Sequence, residues 1–470
     1  MNKSVFVLSS KYEYVLWALL TSLFMLTPIF SKAQQYKQLT DVPTVYIETE
    51  NNQSIISKED YINCTVIYVD GGEVTTYPNT QIRGRGNSSW WNSPKKAYRI
   101  KFEKKQRLLG DAFANAKSWT LLANHGDKTL IRNALTYDLG KFIGMPFCPA
   151  ARFVDLYLNG QYRGSYQISD HVQVGKNRVD IDADNGWFLE VTNNNAKEDP
   201  YFSTSRGIMY NLKNPEDEFL TTSTRIEIAQ YMQRFEIALF SDNFQDVTEG
   251  YRAYVDEKDL VNWYVASEIT GNIDALYSIY QYKDINGDKF HFGPLWDLDM
   301  GYDNSSERSL LRDMEGFLGL SDRPYEKYIQ RMWEDPWFAQ SCNNRLNELI
   351  DQGLESYLLN HIDSLRNAVY QSQYENFKIW RINEKVYDWE KHVYHTSYDA
   401  YIDDLKEFIR VHIPYLKEQF AKIAPTAGIE NVRTQQAEDE ALYDLQGREI
   451  GKYSRLLKGI YILKGKKIIR

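Results

Sequence analysis

Cysteine is scarce in this chain, and the few cysteines form no recognisable pattern. Only Cys64, Cys148 and Cys342 occur among 470 residues. An odd and sparse set does not fit a disulfide framework. Zinc is disfavoured as well, because no cluster of histidine and cysteine accompanies any of the three. We therefore expect three thiols in the protein core.

Positive charge is also in short supply. The 55 Lys and Arg residues are outnumbered by 64 Asp and Glu residues, which gives a net charge of -9. Binding to a nucleic-acid backbone requires a basic face. The composition therefore argues against a nucleic-acid partner, although a local basic cluster could still bind a nucleotide.

Long apolar runs are missing after the first 30 residues. The one such run, from Tyr14 to Phe30, follows two lysines and ends at the sequence Ser-Lys-Ala of residues 31–33. This pattern predicts a secretory signal peptide over residues 1–33, with Gln34 as the first mature residue. An uncleaved membrane anchor is the alternative, for which the run is short and interrupted by Pro28. We expect a secreted or cell-surface protein with no transmembrane helix in the mature chain.

The rest of the chain has a globular composition, with 43% hydrophobic and 25% charged residues. Short β-type runs and a hairpin across Asn159-Gly160 fill the first half: Pro43–Glu48, Thr65–Val69, Trp119–Ala123, Phe188–Val191. Helical patterns follow in the second half: Arg225–Phe240, Lys258–Ile269, Arg323–Phe338, Asn343–Tyr370, Ser397–Phe420. We expect the last helix to be kinked or broken near Pro414.

These patterns predict an α+β fold with a sheet-rich N-terminal half and a helical C-terminal half. The composition changes again near Ile429, where short strands alternate with glycine turns. The expected domains are the main body, residues 34–425, and a small all-β C-terminal module, residues 426–470.

Three aspartates near the middle of the chain are the strongest candidates for chemistry. Residues 276–292 predict a β-hairpin, which would bring Asp274 and Asp297 together at its two ends. Asp297 and Asp299 lie two positions apart, so on an extended strand they would share a face and could bind Mg²⁺ or Mn²⁺. Aspartates in surface turns are the alternative, but the flanking Pro-Leu-Trp sequence makes this an unusually apolar setting.

A second candidate region combines glycines, hydroxyls and basic side chains. Residues 82–96 (IRGRGNSSWWNSPKK) precede the alternating strand Ala97–Phe102. Such a loop can hold a phosphate through backbone N–H groups and basic side chains. Its spacing matches neither the P-loop nor the GxGxxG pattern, and a solvated basic loop is the alternative. Further on, Asn124–Arg132 predicts the start of a helix, with Asp127 as its N-cap.

Taken together, several stretches resemble the CotH family of spore-coat-type atypical protein kinases, in the form found among secreted proteins of Bacteroidetes. The matching sequences are IRGRGNSSW with PKKAYRIKF, LLANHGDKTLIRNALTYDL, VDLYLNGQYRGSYQISDHV, and GNIDALYSIYQY with FGPLWDLDMGYDN. The resemblance extends from Pro43 to Ile423. Separately, YDLQGREI and LKGIYILKGKKI near the C-terminus resemble the sorting domain that the type IX secretion machinery recognises.

The resemblance implies a divergent protein-kinase-like fold that binds ATP with Mg²⁺ or Mn²⁺ and phosphorylates an unknown protein substrate. By the same resemblance Asp274 is the catalytic base and Asp297 the metal ligand. Asp299, which the spacing places with Asp297, is a candidate for a further metal ligand. The basic residues of the matching motifs are the candidates for phosphate contacts: Arg83, Arg85, Lys96 and Arg132, with Lys101 as an alternative.

One position departs from the pattern that the resemblance leads us to expect. A second metal ligand, Asn, is expected five residues after the catalytic aspartate, where this chain has Ile279. ATP is also scarce outside the cell. Two alternatives therefore stay open: a catalytically inactive surface binding or structural protein on the same fold, and a glycosyltransferase-like use of the Asp297-Leu298-Asp299 sequence.

Overall fold

The computed structural model describes most of the chain. The described residues are 36–216, 219–272, 278–305, 324–387, 390, 394–424, 441–443, 449–452, 460–463 and 466–469. The predicted signal peptide and Asp274 lie outside them. The chain forms two compact units, which divide between Lys417 and Glu418.

The first unit begins with a closed barrel of seven strands. They are β1 (Thr44–Thr49), β2 (Ile62–Asp70), β3 (Glu73–Arg85), β4 (Ala97–Gln106), β5 (Ala116–Leu122), β6 (Ala151–Leu158) and β7 (Gln161–Asp170). Their order is β1-β2-β3-β4-β5-β7-β6, and the parallel pairing of β6 with β1 closes the barrel. Asn159 and Gly160 adopt left-handed conformations between β6 and β7, as a tight hairpin turn requires.

The barrel interior is apolar, and its strands alternate between the interior and the outer face. In β3, Ile82 is fully buried, whereas Arg83 and Arg85 on the other face remain partly accessible. Gly84 is required by packing, because a Cβ atom there would overlap the Trp90 ring. Arg83 and Arg85 therefore lie on a strand rather than in the loop that the sequence predicted, whereas Lys95 and Lys96 lie in the connection before β4.

A second sheet follows the barrel. It contains β8 (Trp187–Thr192), β9 (Tyr201–Ser203), β10 (Met209–Asn214), β11 (Tyr280–Lys283) and β12 (His291–Phe292). The order is β12-β11-β8-β10-β9. Strands β11 and β12 pair antiparallel, which confirms the predicted hairpin, although its first strand begins only at Tyr280.

Seven helices are described from residue 132 onward: α1 (Arg132–Ile143), α2 (Thr222–Leu239), α3 (Glu257–Thr270), α4 (Pro324–Trp333), α5 (Pro336–Asp351), α6 (Leu354–Ile379) and α7 (Tyr398–Ile423). The class is thus α+β, with a sheet-rich first half and a helical second half, as predicted. The seven-stranded barrel was not predicted.

Helix boundaries differ from the predictions for identifiable reasons. Asp335 caps α5 and ends the predicted helix Arg323–Phe338 early, and Gly353, at φ 88°, separates α5 from α6. Helix α7 continues through Pro414 without a break. Helix α1 starts at Arg132 because Leu130 is left-handed, and the Asp127 carboxylate accepts a hydrogen bond from the Arg132 N–H at 2.9 Å.

In the part of the second unit that the structure describes there are four short strands: β13 (Ala441–Tyr443), β14 (Glu449–Lys452), β15 (Ile460–Leu463) and β16 (Lys466–Ile469). They pair in the order β14-β13-β15-β16. Within the described residues, no helix is both long and apolar enough to cross a membrane. All three cysteines are free thiols; Cys64 and Cys342 are buried and Cys148 is half-buried.

Candidate functional site

The predicted metal-binding segment follows β12 and contains unusual backbone conformations. Asp297, Tyr302 and Asp303 have φ values of 61°, 55° and 60°. A residue with a side chain loses about 1–2 kcal/mol in this left-handed region. The left-handed turn at Asp297 means that the segment is not the extended strand that the sequence suggested. Strained positions of this kind persist where the surrounding structure fixes them, and they concentrate at functional sites.

Helix α1 holds this segment through its first turn. The Leu298 N–H donates to the Asn133 side-chain oxygen at 3.1 Å, and the Arg132 guanidinium donates to the Tyr302 carbonyl at 3.4 Å. The Asn304 amide group donates to the Asp299 carbonyl at 2.7 Å. Two of the sequence stretches that carry the family resemblance are therefore packed against each other.

Asp297 is exposed to solvent but has many protein atoms around it. The surrounding protein atoms raise the pKa of its carboxyl, which Arg85 lowers in part and Glu190 raises further. Because water reaches the carboxylate, we expect the rise to be smaller than full burial would cause. Burial raises the pKa of the nearby Tyr387 phenol, and both Asp299 and Asp297 add to that rise. The negative charges of the two aspartates thus both raise the pKa of the same neighbouring phenol.

Asp274 itself lies outside the described residues, but the chain before it is anchored to the metal-binding segment. Helix α3 ends at Thr270, and Gly271 closes it in a left-handed conformation at φ 56°. The Thr270 carbonyl accepts a hydrogen bond from the Tyr302 N–H at 2.5 Å. The described part of the predicted catalytic segment therefore contacts the predicted metal-binding segment directly.

Three of the predicted phosphate-binding residues already have protein partners. The Arg83 guanidinium donates to the carbonyls of Lys58 and Glu59 at 2.7 and 3.1 Å. Lys96 donates to the Trp90 carbonyl. Arg132 forms a buried ion pair with Asp127, and it anchors the metal-binding segment as described above. The alternative Lys101 is exposed on the outer face of the barrel.

Arg85 is differently placed. Its guanidinium lies over the Trp296 ring, 5.5 Å from the ring centre. Its positive charge lowers the pKa of the Asp297 carboxyl in part. Among the described residues Arg85 forms no ion pair, whereas the neighbouring Arg83 lies 3.8 Å from a carboxylate oxygen of Glu59. Arg85 is thus positioned beside the predicted metal ligand without an ion pair among the described residues.

The sequence did not predict a second arginine, Arg99, on the same face of the barrel as Arg85. Arg99 of β4 lies directly opposite Arg83 of β3, so both side chains and Arg85 occupy the same outer face. Among the described residues, the Arg99 guanidinium makes one long hydrogen bond, to the Ser118 hydroxyl at 3.4 Å, and its buried Nε has no partner. We call Arg83, Arg85 and Arg99 the arginine cluster. The alternation of AYRIKF marks Arg99 as outward-facing, but only the strand register shows that it meets the other two.

The arginine cluster lowers the pKa values of neighbouring basic groups. Burial lowers the pKa of Arg99, Tyr61 offsets this in part, and Arg83, Arg85 and Arg178 lower it further. Burial also holds the pKa of His171 well below its ordinary value, and Arg99, Arg178 and Arg85 contribute in the same direction. His171 is therefore neutral at neutral pH, and the cluster is an electropositive surface.

The second sheet supplies acidic groups facing this surface. Glu190 forms an ion pair with Lys213 at 2.8 Å and accepts a hydrogen bond from the Tyr280 hydroxyl at 3.2 Å. Lys213 also pairs with Glu198 at 2.6 Å. Trp296 packs against an apolar cluster that includes Phe188 and Tyr280, which joins the metal-binding segment to the second sheet.

The arrangement suits a phosphorylated ligand and a divalent cation. Guanidinium groups without carboxylate partners bind phosphate through charged hydrogen bonds. The oxygens of Asp297 and Asp299 are the donors that Mg²⁺ and Mn²⁺ prefer, so the residues present fit such an ion.

Comparison with known proteins agrees with this chemistry. No curated protein matches the chain. Residues 82–416 match a family model described as CotH kinase protein, and this range contains the arginine cluster and all three aspartates. The chain therefore belongs to the CotH kinase protein family.

Proposed function

We propose that this chain is a metal-dependent protein kinase of divergent kinase-like fold, which transfers the γ-phosphate of ATP to a protein hydroxyl. The observation that carries the proposal is the arginine cluster, which has an orphaned guanidinium nitrogen and lies beside Asp297. Two arginines without an ion pair among the described residues, Arg85 and Arg99, next to a solvent-open carboxylate match the needs of a nucleoside triphosphate with its cation.

The residues take distinct roles in this proposal. Arg85 and Arg99 bind and orient the phosphates, because their N–H groups have no competing carboxylate. Asp297 and Asp299 hold Mg²⁺ or Mn²⁺, which supplies neutralisation of the phosphate charge when bound. Asp274 accepts the proton of the attacking hydroxyl, a role that rests on its position in the family motif.

We also propose that the protein is exported through its signal peptide and reaches the cell surface through the type IX secretion machinery, as a protein of the secreted Bacteroidetes form. The support is the resemblance of residues 1–33 to a signal peptide and of the C-terminal sequence to a sorting domain.

Transfer of radiolabelled γ-phosphate tests the enzymatic proposal. We expect labelling of the protein itself or of an added acceptor protein with Mn²⁺ or Mg²⁺. Asp274→Asn and Asp297→Asn should each lower the rate by about 10²-fold or more, because each removes a group that acts in the transition state. Asp288→Asn is the matched control, since Asp288 is exposed in the turn of the neighbouring hairpin. Equal rates in all variants would contradict the proposal.

A second candidate function is supported by one observation. Ile279, at the position where the resemblance predicts a second metal ligand, is only 2% exposed, and its backbone carbonyl accepts a hydrogen bond from the Val191 N–H at 2.8 Å. This apolar side chain supplies no ligand. A protein that binds nucleotide without transferring phosphate, and whose cellular role survives Asp274→Asn, would be a surface binding protein on this fold.

A further inference from the structure

Tyr302 lies where three parts of the candidate site meet. Its N–H donates to the Thr270 carbonyl at 2.5 Å, its carbonyl accepts from Arg132 at 3.4 Å, and its hydroxyl lies 3.1 Å from the Thr136 hydroxyl. Tyr302 therefore forms three links: its backbone N–H bonds to the end of helix α3, and its carbonyl and its hydroxyl bond to helix α1.

The Tyr302 ring extends this junction toward helix α7. Phe408 packs edge-on against it, with ring centres 6.1 Å apart, and stacks on His412 at 4.4 Å. A Cβ atom at Gly271 would lie 3.3 Å from Phe408, so this pair of rings packs directly under the C-terminal end of α3. His412 is also hydrogen-bonded to the Glu268 carbonyl at 2.8 Å. The three rings of Tyr302, Phe408 and His412 thus pack in series against the end of helix α3, after which the chain continues to Asp274.

Ordinary core packing does not account for this placement. Tyr302 is only 1% exposed, but it adopts φ 55°, a conformation that disfavours residues with a side chain. In this conformation the Tyr302 N–H bonds to helix α3 and the Tyr302 carbonyl bonds to helix α1.

We propose that Tyr302 is a positioning residue, which fixes the metal-binding segment of Asp297 and Asp299 relative to helix α1 and the end of helix α3. This inference rests on the proposed function for its catalytic consequence, but the structural linkage can be tested without any nucleotide. Tyr302→Phe removes the hydroxyl link to Thr136 and leaves the ring in place. The matched control is Tyr251→Phe, because Tyr251 is fully buried and its hydroxyl bonds to Asp335 at 3.1 Å, away from the contacts described above.

Hydrogen exchange on the intact protein without nucleotide gives the first readout. Tyr302→Phe should speed exchange about 5-fold in peptides covering residues 298–304 and 134–138, since the buried hydrogen bond between the Tyr302 and Thr136 hydroxyls is lost there. Exchange in the barrel strands should stay unchanged, and Tyr251→Phe should leave both peptides unchanged. Unaltered exchange in these peptides, or a uniform increase throughout the protein, would overturn the proposal.

The dependence of ATP binding on Mn²⁺ gives the second readout. In Tyr302→Phe, the ratio of the Kd for ATP in EDTA to that in Mn²⁺ should fall about 5-fold, whereas the Kd in EDTA should remain the same because the arginine cluster is untouched. A ratio equal to that of the wild type would contradict the positioning role. A wild-type protein that binds no ATP would contradict the proposed function instead, and the exchange result would still decide the linkage.

Discussion

Replacing Arg99 with Met should make the free protein more stable while it weakens nucleotide binding. Met has a similar length and no charge. Arg99 faces Arg83 directly across two antiparallel strands, with Arg85 on the diagonal, and like charges in these positions are destabilising by about 0.2–1 kcal/mol each. Its single hydrogen bond, to Ser118 at 3.4 Å, is long and contributes little to stability. We therefore expect a gain of about 1 kcal/mol in the free energy of unfolding.

Binding should respond in the opposite direction. A hydrogen bond to a charged group contributes about 1.5–3 kcal/mol, so loss of the Arg99 contact should raise the Kd for ATP by about 10-fold to 100-fold. Urea denaturation of the ligand-free protein gives the stability, and calorimetry with Mn²⁺ gives the affinity. The opposite signs distinguish an arginine kept for a ligand from one kept for the fold.

Arg178 provides the matched control for this prediction. It lies in the same region and is more deeply buried, at 2% exposure, but it pairs with Asp170 at 3.0 Å and donates to the Ser118 carbonyl at 3.0 Å. Arg178→Met leaves a buried carboxylate without its partner, which should cost about 3–5 kcal/mol. The reasoning would be refuted if Arg99→Met destabilised the protein as strongly as Arg178→Met and left ATP binding unchanged.

Three further predictions follow from buried ionisable groups. Burial and neighbouring cations hold the pKa of His171 low, so ATP binding should raise that pKa in a histidine NMR titration; an unchanged pKa in the ATP complex would contradict the phosphate site. Burial raises the pKa of Glu268 well above its ordinary value. The unfolded chain then ionises first, and stability should fall with rising pH above about 4.3, by about 1.4 kcal/mol per pH unit until the folded carboxyl ionises. Denaturation of Glu268→Gln should lack this component, and parallel pH profiles of variant and wild type would argue against it. Lys95 donates to the Ala123 and Ser165 carbonyls and to the Asn376 side chain at 2.8, 2.5 and 2.9 Å; Lys95→Met should cost about 3 kcal/mol of unfolding free energy, and a loss below about 1 kcal/mol would show that these bonds contribute little.

Local features of the fold could be predicted because they have local signals. The β6–β7 hairpin follows from Asn159-Gly160 between alternating strands. The amphipathic repeats of residues 225–240 likewise predicted helix α2. Closure of the barrel could not be predicted, because β1 pairs with β6 about a hundred residues later, and such a pairing leaves no periodic trace in either strand.

The candidate site was predictable in part for the same reason. Asp297 and Asp299 stand out through their spacing and apolar flanks, and the motif resemblance places Asp274 with them. Arg99 was missed because its importance arises from the strand register opposite Arg83. The left-handed backbone at Tyr302 was missed because tyrosine does not favour that conformation, and only contacts with Thr270 and Arg132 reveal why it is retained.

Calorimetric titration of ATP into the intact protein, with Mg²⁺, with Mn²⁺ and with EDTA, tests the central claim most directly. We predict binding that strengthens with either cation and loses this dependence in Asp297→Asn, while residual binding through Arg85 and Arg99 remains in EDTA. Absence of ATP binding under all three conditions would contradict the account, and the protein would then be a surface binding or structural protein of its family.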